Sequence, residues 1–369
     1  MSFKKRSVSF LRILSFPVSI IYGCIIHIRN ILFDKKCLPS TSFRTAIICV
    51  GNVSVGGTGK TPMVEYLIKL LQQSNYSTAT ISRGYKRKTK GFLIANEKTT
   101  ATQIGDEPMQ LHSKFPEVNV CVGEDRVSAV EQFLKLKSET HTIILDDAFQ
   151  HRKIIAGLNI LLTDYNHLFY KDYFLPTGNL RDQRSSSKRA QIIIVTKCPS
   201  DLPKDKKEII GDQLNRLNHN MFFFTSIRYA NPYHISTSAE IILHDDTHYI
   251  LVHGIANADS LRHHIASFDK NFEEIKFEDH HKFDQNDIQK IKATYHKQAS
   301  KTVIITTEKD AVKLKHFNSE LSTLPLYVLP IEISFLFDEK KKFDEAVTNF
   351  VFQFNKNNNE QKNISETKA

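Results

Sequence analysis

Short apolar runs rich in β-branched residues recur along the chain, with helix-like stretches between them. TAIICVGN (45–52) reads as a buried strand, MVEYLIKLLQQ (63–73) as the helix after it, and STATISRGY (77–85) as a second strand. NVCVGED (119–125), HTIILDD (141–147), LNILLTD (158–164) and AQIIIVTK (190–197) continue the series. Strands apolar on both faces, alternating with helices, predict a parallel sheet covered on both sides. Chemistry then belongs at the carboxyl ends of the strands. After FFFTSIRY (222–229) the texture changes. HYILVHGIAN (248–257), EEIKFEDHHKF (273–283) and SKTVIITTEKDAVKL (300–314) begin a second, smaller α/β unit, with LYVLPIEISF (326–335) as a last strand. The expected layout is an N-terminal segment 1–44, a first α/β domain 45–229, a connector 230–247 and a smaller lobe 248–354. The tail 355–369 has almost no apolar content and is expected to be disordered.

Residues 10–33 read FLRILSFPVSIIYGCIIHIRNILF. The uncharged stretch Ile13–Ile26 is 14 residues, short of the roughly 20 that a spanning helix needs. No small-residue cleavage site follows it. Charge sharpens the picture. The chain carries a formal +10, and Lys4, Lys5, Arg6, Arg12, Arg29, Lys35, Lys36 and Arg44 flank this run against Asp34 alone. Cations at both ends of an apolar helix predict one lying on an anionic membrane surface. Basicity alone would also suit nucleic acid, but no aromatic-basic recognition module accompanies it. The five cysteines are scattered, without a C-x-x-C pair, and read as reduced thiols rather than zinc or redox centres.

Between the first strand and helix stands CVGNVSVGGTGKTP (49–62). Gly56, Gly57 and Gly59 let backbone N–H groups converge at a helix N-terminus, which is a phosphate cradle. Ser54 stands where the phosphate-loop pattern has its first glycine; a small residue at this entrance keeps the fold. The expected nucleotide site is Ser54, Val55, Gly56, Gly57, Thr58, Gly59, Lys60 and Thr61. Lys60 would neutralise β- and γ-phosphates, and the Thr61 hydroxyl would bind Mg²⁺. HTIILDD supplies Asp146 and Asp147 as metal carboxylates. Thr196-Lys197-Cys198-Pro199 lacks the carboxylate of a guanine motif, so ATP is the expected nucleotide.

Three loops crowd charge onto the same edge. ISRGYKRK (81–88) holds Arg83, Lys86, Arg87 and Lys88; GDEPMQL (105–111) holds Asp106 and Glu107; LPTGNLRDQRSSSKRA (175–190) holds Arg181, Arg184, Lys188 and Arg189. Together they suit an anionic, phosphorylated acceptor and an acid/base group, with Arg83, Arg181 and Arg184 the expected substrate contacts. FEDHHKF (277–283) adds Asp279, His280 and His281, best read as one histidine oriented by a carboxylate. GGTGKT also resembles partition and septum-site ATPases, with Val55 in place of their signature lysine. A membrane-positioned ATPase without a phosphate acceptor is the alternative.

In order, VGNVSVGGTGKTP, SRGYKRK, GDEP, DDAFQH, LPTGNLRD, DHH and TTEKDAVKL resemble the tetraacyldisaccharide 4′-kinases, the lipid A 4′-kinases of Gram-negative bacteria. The resemblance runs from the N-terminal helix to about residue 335. It implies an α/β fold: a P-loop NTPase-type parallel sheet with helices on both faces, a smaller α/β C-terminal lobe, and an N-terminal membrane-associated helix. It implies transfer of the ATP γ-phosphate to the 4′-hydroxyl of an acylated glucosamine disaccharide 1-phosphate. The enzyme would sit peripherally on the cytoplasmic face of the inner membrane, its lobes opening and closing; no oligomer is implied. The family's catalytic Asp falls on Asp106 and its assisting His on His280, with His281 the alternative. Asp146 and Asp147 fall on the Mg²⁺ carboxylates. Two segments depart from the family pattern: in LPTGNLRD, Asn179 and Asp182 replace its usual Pro and Glu, leaving the role of Asp182 open, and in DDAFQH, Ala148 replaces a common Gly.

Overall fold

The strand-and-helix alternation closes into two sheets in a computed structural model, which describes residues 12, 14–217, 221–298 and 301–367. The first sheet is built from β1 (Ala46–Gly51), β2 (Thr78–Ser82), β3 (Leu93–Ile94), β4 (Asn119–Val122), β5 (Thr142–Asp146), β6 (Leu158–Asp164), β7 (Ile192–Thr196), β8 (Met221–Tyr229) and the late strand β14 (Ile331–Phe335). Its order is β14-β8-β7-β6-β1-β5-β2-β4-β3. The pairs from β8 across to β4 are parallel, and the two edge strands β14 and β3 are antiparallel. β1 shows why its sequence is apolar throughout. Ile47 and Cys49 enter the core on one face, while Ala46, Ile48 and Val50 enter the core on the other.

The second sheet contains β9 (Tyr233–His234), β10 (His248–His253), β11 (Glu273–Lys276), β12 (Thr302–Thr307) and β13 (Leu326–Leu329), ordered β11-β10-β12-β13-β9. It too is covered on both faces: Ile250 and Val252 point to one core, Tyr249 and Leu251 to the other.

Two expectations change at the C-terminus. β14 pairs with β8, so the chain returns to the first lobe at Ile331 instead of staying in the second to residue 354. Helical backbone then runs from Lys340 to Thr367, across most of the tail expected to be disordered. Phe343, Val347 and Val351, spaced by one helical turn each, are fully buried against the first sheet with Ile48 and Ile160. That apolar stripe anchors the helix, and its polar continuation carries no such signal in the sequence.

The N-terminal helix Phe16–Asp34 is inside out. Val18, Ile21, Ile25, Ile28 and Leu32 are exposed, whereas Ser19, Gly23 and Asn30 are buried. Ser19 Oγ bonds Thr177 Oγ1 at 2.8 Å. The Tyr22 hydroxyl donates to the Arg181 carbonyl at 3.1 Å. Gly23 lies against the Phe174 ring, which any Cβ would strike at 2.8 Å. The helix therefore docks by its small and polar side and presents its apolar side outward. Lys4, Lys5 and Arg6 lie outside the described residues.

The lobes meet around one lysine. Lys114 Nζ lies 2.6 Å from Glu65 on the helix after the Gly-rich loop, and 2.5 Å from Glu308 at the start of a second-lobe helix. Gln110 donates to Glu65 at 2.7 Å, and the Ile331 N–H to Glu308 at 3.3 Å. Burial, reinforced by the Glu308 charge, pushes the Glu65 carboxyl up to about 7. Lys114→Met leaves two buried carboxylates facing each other. It is expected to cost about 3 kcal/mol or more, read by urea denaturation.

Candidate active site

The Gly-rich loop is tied down largely through its carbonyls, while the N–H groups of Val55 and Thr58 are taken by the Asn179 and Gly56 carbonyls. Gly56 and Gly59 have φ of 109° and 84°, and space is open where Cβ atoms would stand at Gly56 and Gly57. Thr196 Oγ1 donates to the Thr58 carbonyl at 2.9 Å, Lys197 holds the Gly57 carbonyl, and Asn52 Nδ2 donates to Thr58 Oγ1 at 2.9 Å. Ser54 pairs with Leu180 in an isolated bridge, and the Val55 N–H bonds the Asn179 carbonyl at 2.8 Å. The helix starts at Lys60 behind Gly59, whose lack of a capping side chain leaves first-turn N–H groups for an anion. Pro62 falls in this first turn, where its missing N–H costs nothing.

Asp146 ends β5, one strand over, and is buried. Its Oδ1 has no hydrogen-bond partner among the described residues. Burial, then the charges of Glu107 and Asp147, push its carboxyl up to about 7 against the pull of Lys60 and Arg126. Asp147 takes a left-handed φ of 50° and turns outward. Lys60 Nζ lies 3.8 Å from Asp147 Oδ1. Arg181 grips both Asp147 oxygens, Nη1 reaching Oδ2 at 3.2 Å and Nη2 reaching Oδ1, and also meets Asn52. Burial opposes it, but Lys60 and Arg181 hold the Asp147 carboxyl below its usual range.

Gly105, at φ 95°, places Asp106 in the first turn of the helix Asp106–Lys114. Opposite, in the second lobe, His280 sits at φ 63°. Its Nδ1 lies 3.4 Å from Asp106 Oδ2, a long contact of the kind that catalytic pairs show before substrate closes the site. His281 is turned elsewhere: its Nε2 bonds Asp287 Oδ2 at 2.7 Å and its ring stacks on Phe277 at 4.6 Å. Of the two histidines, His280 is the one brought to Asp106. Glu107, next along the helix, acts on Asp146 through its charge, so the pair stands near the loop and its acids.

The basic edge sorts itself. Arg83 is exposed. Burial first, then the charges of Arg126, Arg83 and Arg29, push His151 down to about 4. Arg184 instead donates twice to the Asp172 carbonyl, at 2.6 and 3.2 Å, and lies over the Tyr173 ring. Arg87 is held by Glu124 at 2.6 Å and the Gly91 carbonyl at 2.6 Å. Asp182 answers the question left open. It is buried and accepts from Asn30 at 2.8 Å, Ser186 at 2.8 Å, the Gln183 N–H at 2.8 Å and Arg189 at 2.9 Å. It joins the N-terminal helix to the 177–189 loop, a role that no local pattern announces.

The family model for tetraacyldisaccharide-1-P 4′-kinase, LpxK, matches residues 11–351. The chain belongs to this family. A tetraacyldisaccharide 4′-kinase from Bacteroides thetaiotaomicron is 43% identical over 358 residues, 93% of this chain and 94% of that protein. One from Flavobacterium psychrophilum is 45% identical over 347 residues, 93% of this chain and 98% of its own. A crystal structure of the "apo" form of LpxK from Aquifex aeolicus in complex with ATP superposes with a TM-score of 0.73 at 27% identity, covering 93% of this chain and all of that one. The protein is thus a lipid A 4′-kinase, an ATP-dependent phosphotransferase, and the acceptor-free ATPase alternative falls.

In this kinase, Asp182→Ala takes away the anion paired with Arg189 and leaves that cation only the Phe149 carbonyl, and the buried Asn30 amide only Ser186. A loss of about 3 kcal/mol is expected, seen as a lower melting temperature and faster proteolysis of the N-terminal helix.

Proposed function

We propose that the γ-phosphate of ATP passes to the 4′-hydroxyl of an acylated glucosamine disaccharide 1-phosphate with Asp106 as the base and His280 as its support. The observation that carries this is the meeting of Asp106 and His280 across the two lobes at 3.4 Å. A sugar hydroxyl does not ionise freely near neutrality, so a carboxylate positioned to take its proton is worth about 10²–10⁴-fold. The 4′ O–H bond breaks as the new O–P bond forms, and the proton goes to Asp106. The bond from the γ-phosphorus to the bridging oxygen breaks, and ADP leaves with that electron pair.

Residues Ser54–Thr61 hold the phosphates, Lys60 neutralising them. Thr61 and Asp146 fit Mg²⁺, because both offer hard oxygens and the buried Asp146 Oδ1 has no other partner among the described residues. Bound Mg²⁺ neutralises charge on the β- and γ-phosphates. Asp147, expected as a second metal carboxylate, has both oxygens on Arg181 and better suits orienting Lys60. Arg181, expected on the acceptor, serves Asp147 instead, and Arg184 serves Asp172, so Arg83 is the cation assigned to the acceptor's phosphate.

The helix Phe16–Asp34 is apolar along its length, with little of it buried, and its large apolar residues face outward. It supports a peripheral seat on the cytoplasmic face of the inner membrane, with basic residues on anionic headgroups. The same helix touches the 177–183 loop, whose Asn179 and Arg181 bond Val55 and Val53. Lipid bound along it would be presented beside the phosphate loop.

The test is transfer of labelled γ-phosphate from ATP to the acylated disaccharide 1-phosphate in detergent micelles. Wild type should label the lipid, and Lys60→Ala, Asp106→Ala and His280→Ala should each lose about 100-fold or more. Asp106→Ala at wild-type rate would remove the proposed base.

A further inference from the structure

His280 uses only one ring nitrogen on Asp106. The other, Nε2, lies 3.2 Å from Lys309 Nζ. An ammonium offers hydrogens and no lone pair, and the only carboxylate near Nε2 among the described residues, Asp279 Oδ2 at 3.9 Å, is too far to accept from it, so the geometry favours a bare Nε2. The hydrogen of a neutral imidazole then sits on Nδ1, toward Asp106. We propose that Lys309 is a positioning residue for phosphoryl transfer: it fixes His280 as the Nδ1–H tautomer, so that His280 donates to Asp106 and never competes for its proton-accepting role. This deepens the reading of Asp106 and His280 above and rests on it.

The surroundings hold Lys309 to this task. Its Nζ also lies 2.9 Å from Asp279 Oδ1, so the cation is balanced beside the ring. It stands between two anchored acids. Glu308 is bound to Lys114. Asp310 accepts from the Gly254 N–H at 2.8 Å and from Thr307 Oγ1 at 2.8 Å, and pairs with Lys313 at 3.1 Å. Lys313 reaches back to the His281 carbonyl at 3.0 Å. The DHH loop and the start of the helix Glu308–Leu314 are therefore locked to each other on both sides of His280. From the first lobe, Tyr85 sets its ring edge-on to His280 at 5.7 Å. The groups facing the imidazole are thus Asp106 and Tyr85 from one lobe and Asp279 and Lys309 from the other. With Oδ2 of Asp106 facing Nδ1, its Oδ1 is left for the sugar hydroxyl.

The experiment is proton–nitrogen correlation spectroscopy of the full-length enzyme in detergent with isotope-labelled histidine. His280→Gln picks out the His280 signals among the 16 histidines. In wild type, Nδ1 should be the protonated, pyrrole-type nitrogen and Nε2 the pyridine-type one. Lys309→Met should lose that preference and lower kcat at least tenfold, roughly the low end of what a proton-transfer partner contributes, with KM for ATP unchanged. Lys309→Arg should keep the tautomer and most of kcat. A protonated Nε2 in wild type overturns the proposal, and so does Lys309→Met with tautomer and kcat intact. If Lys309→Met does not fold, the wild-type spectrum and the Lys309→Arg variant decide. An active Asp106→Asn enzyme would instead overturn the base assignment while leaving the tautomer readable, so the two failures are distinct.

Discussion

The two lobes meet through one shared contact on which the rest of the arrangement depends, the half-buried Lys114 ammonium set between the buried carboxylates of Glu65 and Glu308. It joins the phosphate-loop helix, the Asp106 helix and the Lys309 helix at a single point. Asp106 and His280 are 174 positions apart, on a helix of one lobe and a turn of the other, and neither lobe alone contains the pair. A buried bridge of this kind contributes little net stability, because desolvation offsets attraction. Its value is geometric: three helix ends that carry chemistry cannot drift independently without stranding a buried charge.

The loop and its acids are legible in the sequence because they are local. A buried strand, glycines at fixed offsets and a Lys-Thr helix start specify a phosphate cradle with no help from the rest of the chain. Likewise HTIILDD places two acids at a strand end. The Asp106–His280 pair is not legible that way. GDEP and DHH came together only through family resemblance, since spacing along the chain says nothing about which loops face each other across a cleft. The cations show the same limit. Arg83, Arg181 and Arg184 look alike in sequence, yet Arg181 holds Asp147 and Arg184 holds Asp172. Periodicity also failed at the C-terminus, where the one last strand expected over 326–335 splits, and its second half returns with an unforeseen helix to cover the first lobe.

The N-terminal helix shows how burial can invert a pattern. Apart from Phe33, its largest apolar residues face out, while its serine, glycine and asparagine face in, because the segment it docks on is a polar loop. Asp182 is the hub of that docking. A carboxylate from the loop that flanks the phosphate cradle therefore also fixes the N-terminal helix, which ties the helix's position to that of the cradle.

The most direct measurement is a double-mutant cycle on kcat with Asp106→Asn, His280→Gln and the double variant. Residues that act as one unit lose together. The double variant is expected to be no slower than Asp106→Asn alone. Losses that multiply would show two independent contributions and contradict a catalytic pair built across the lobes.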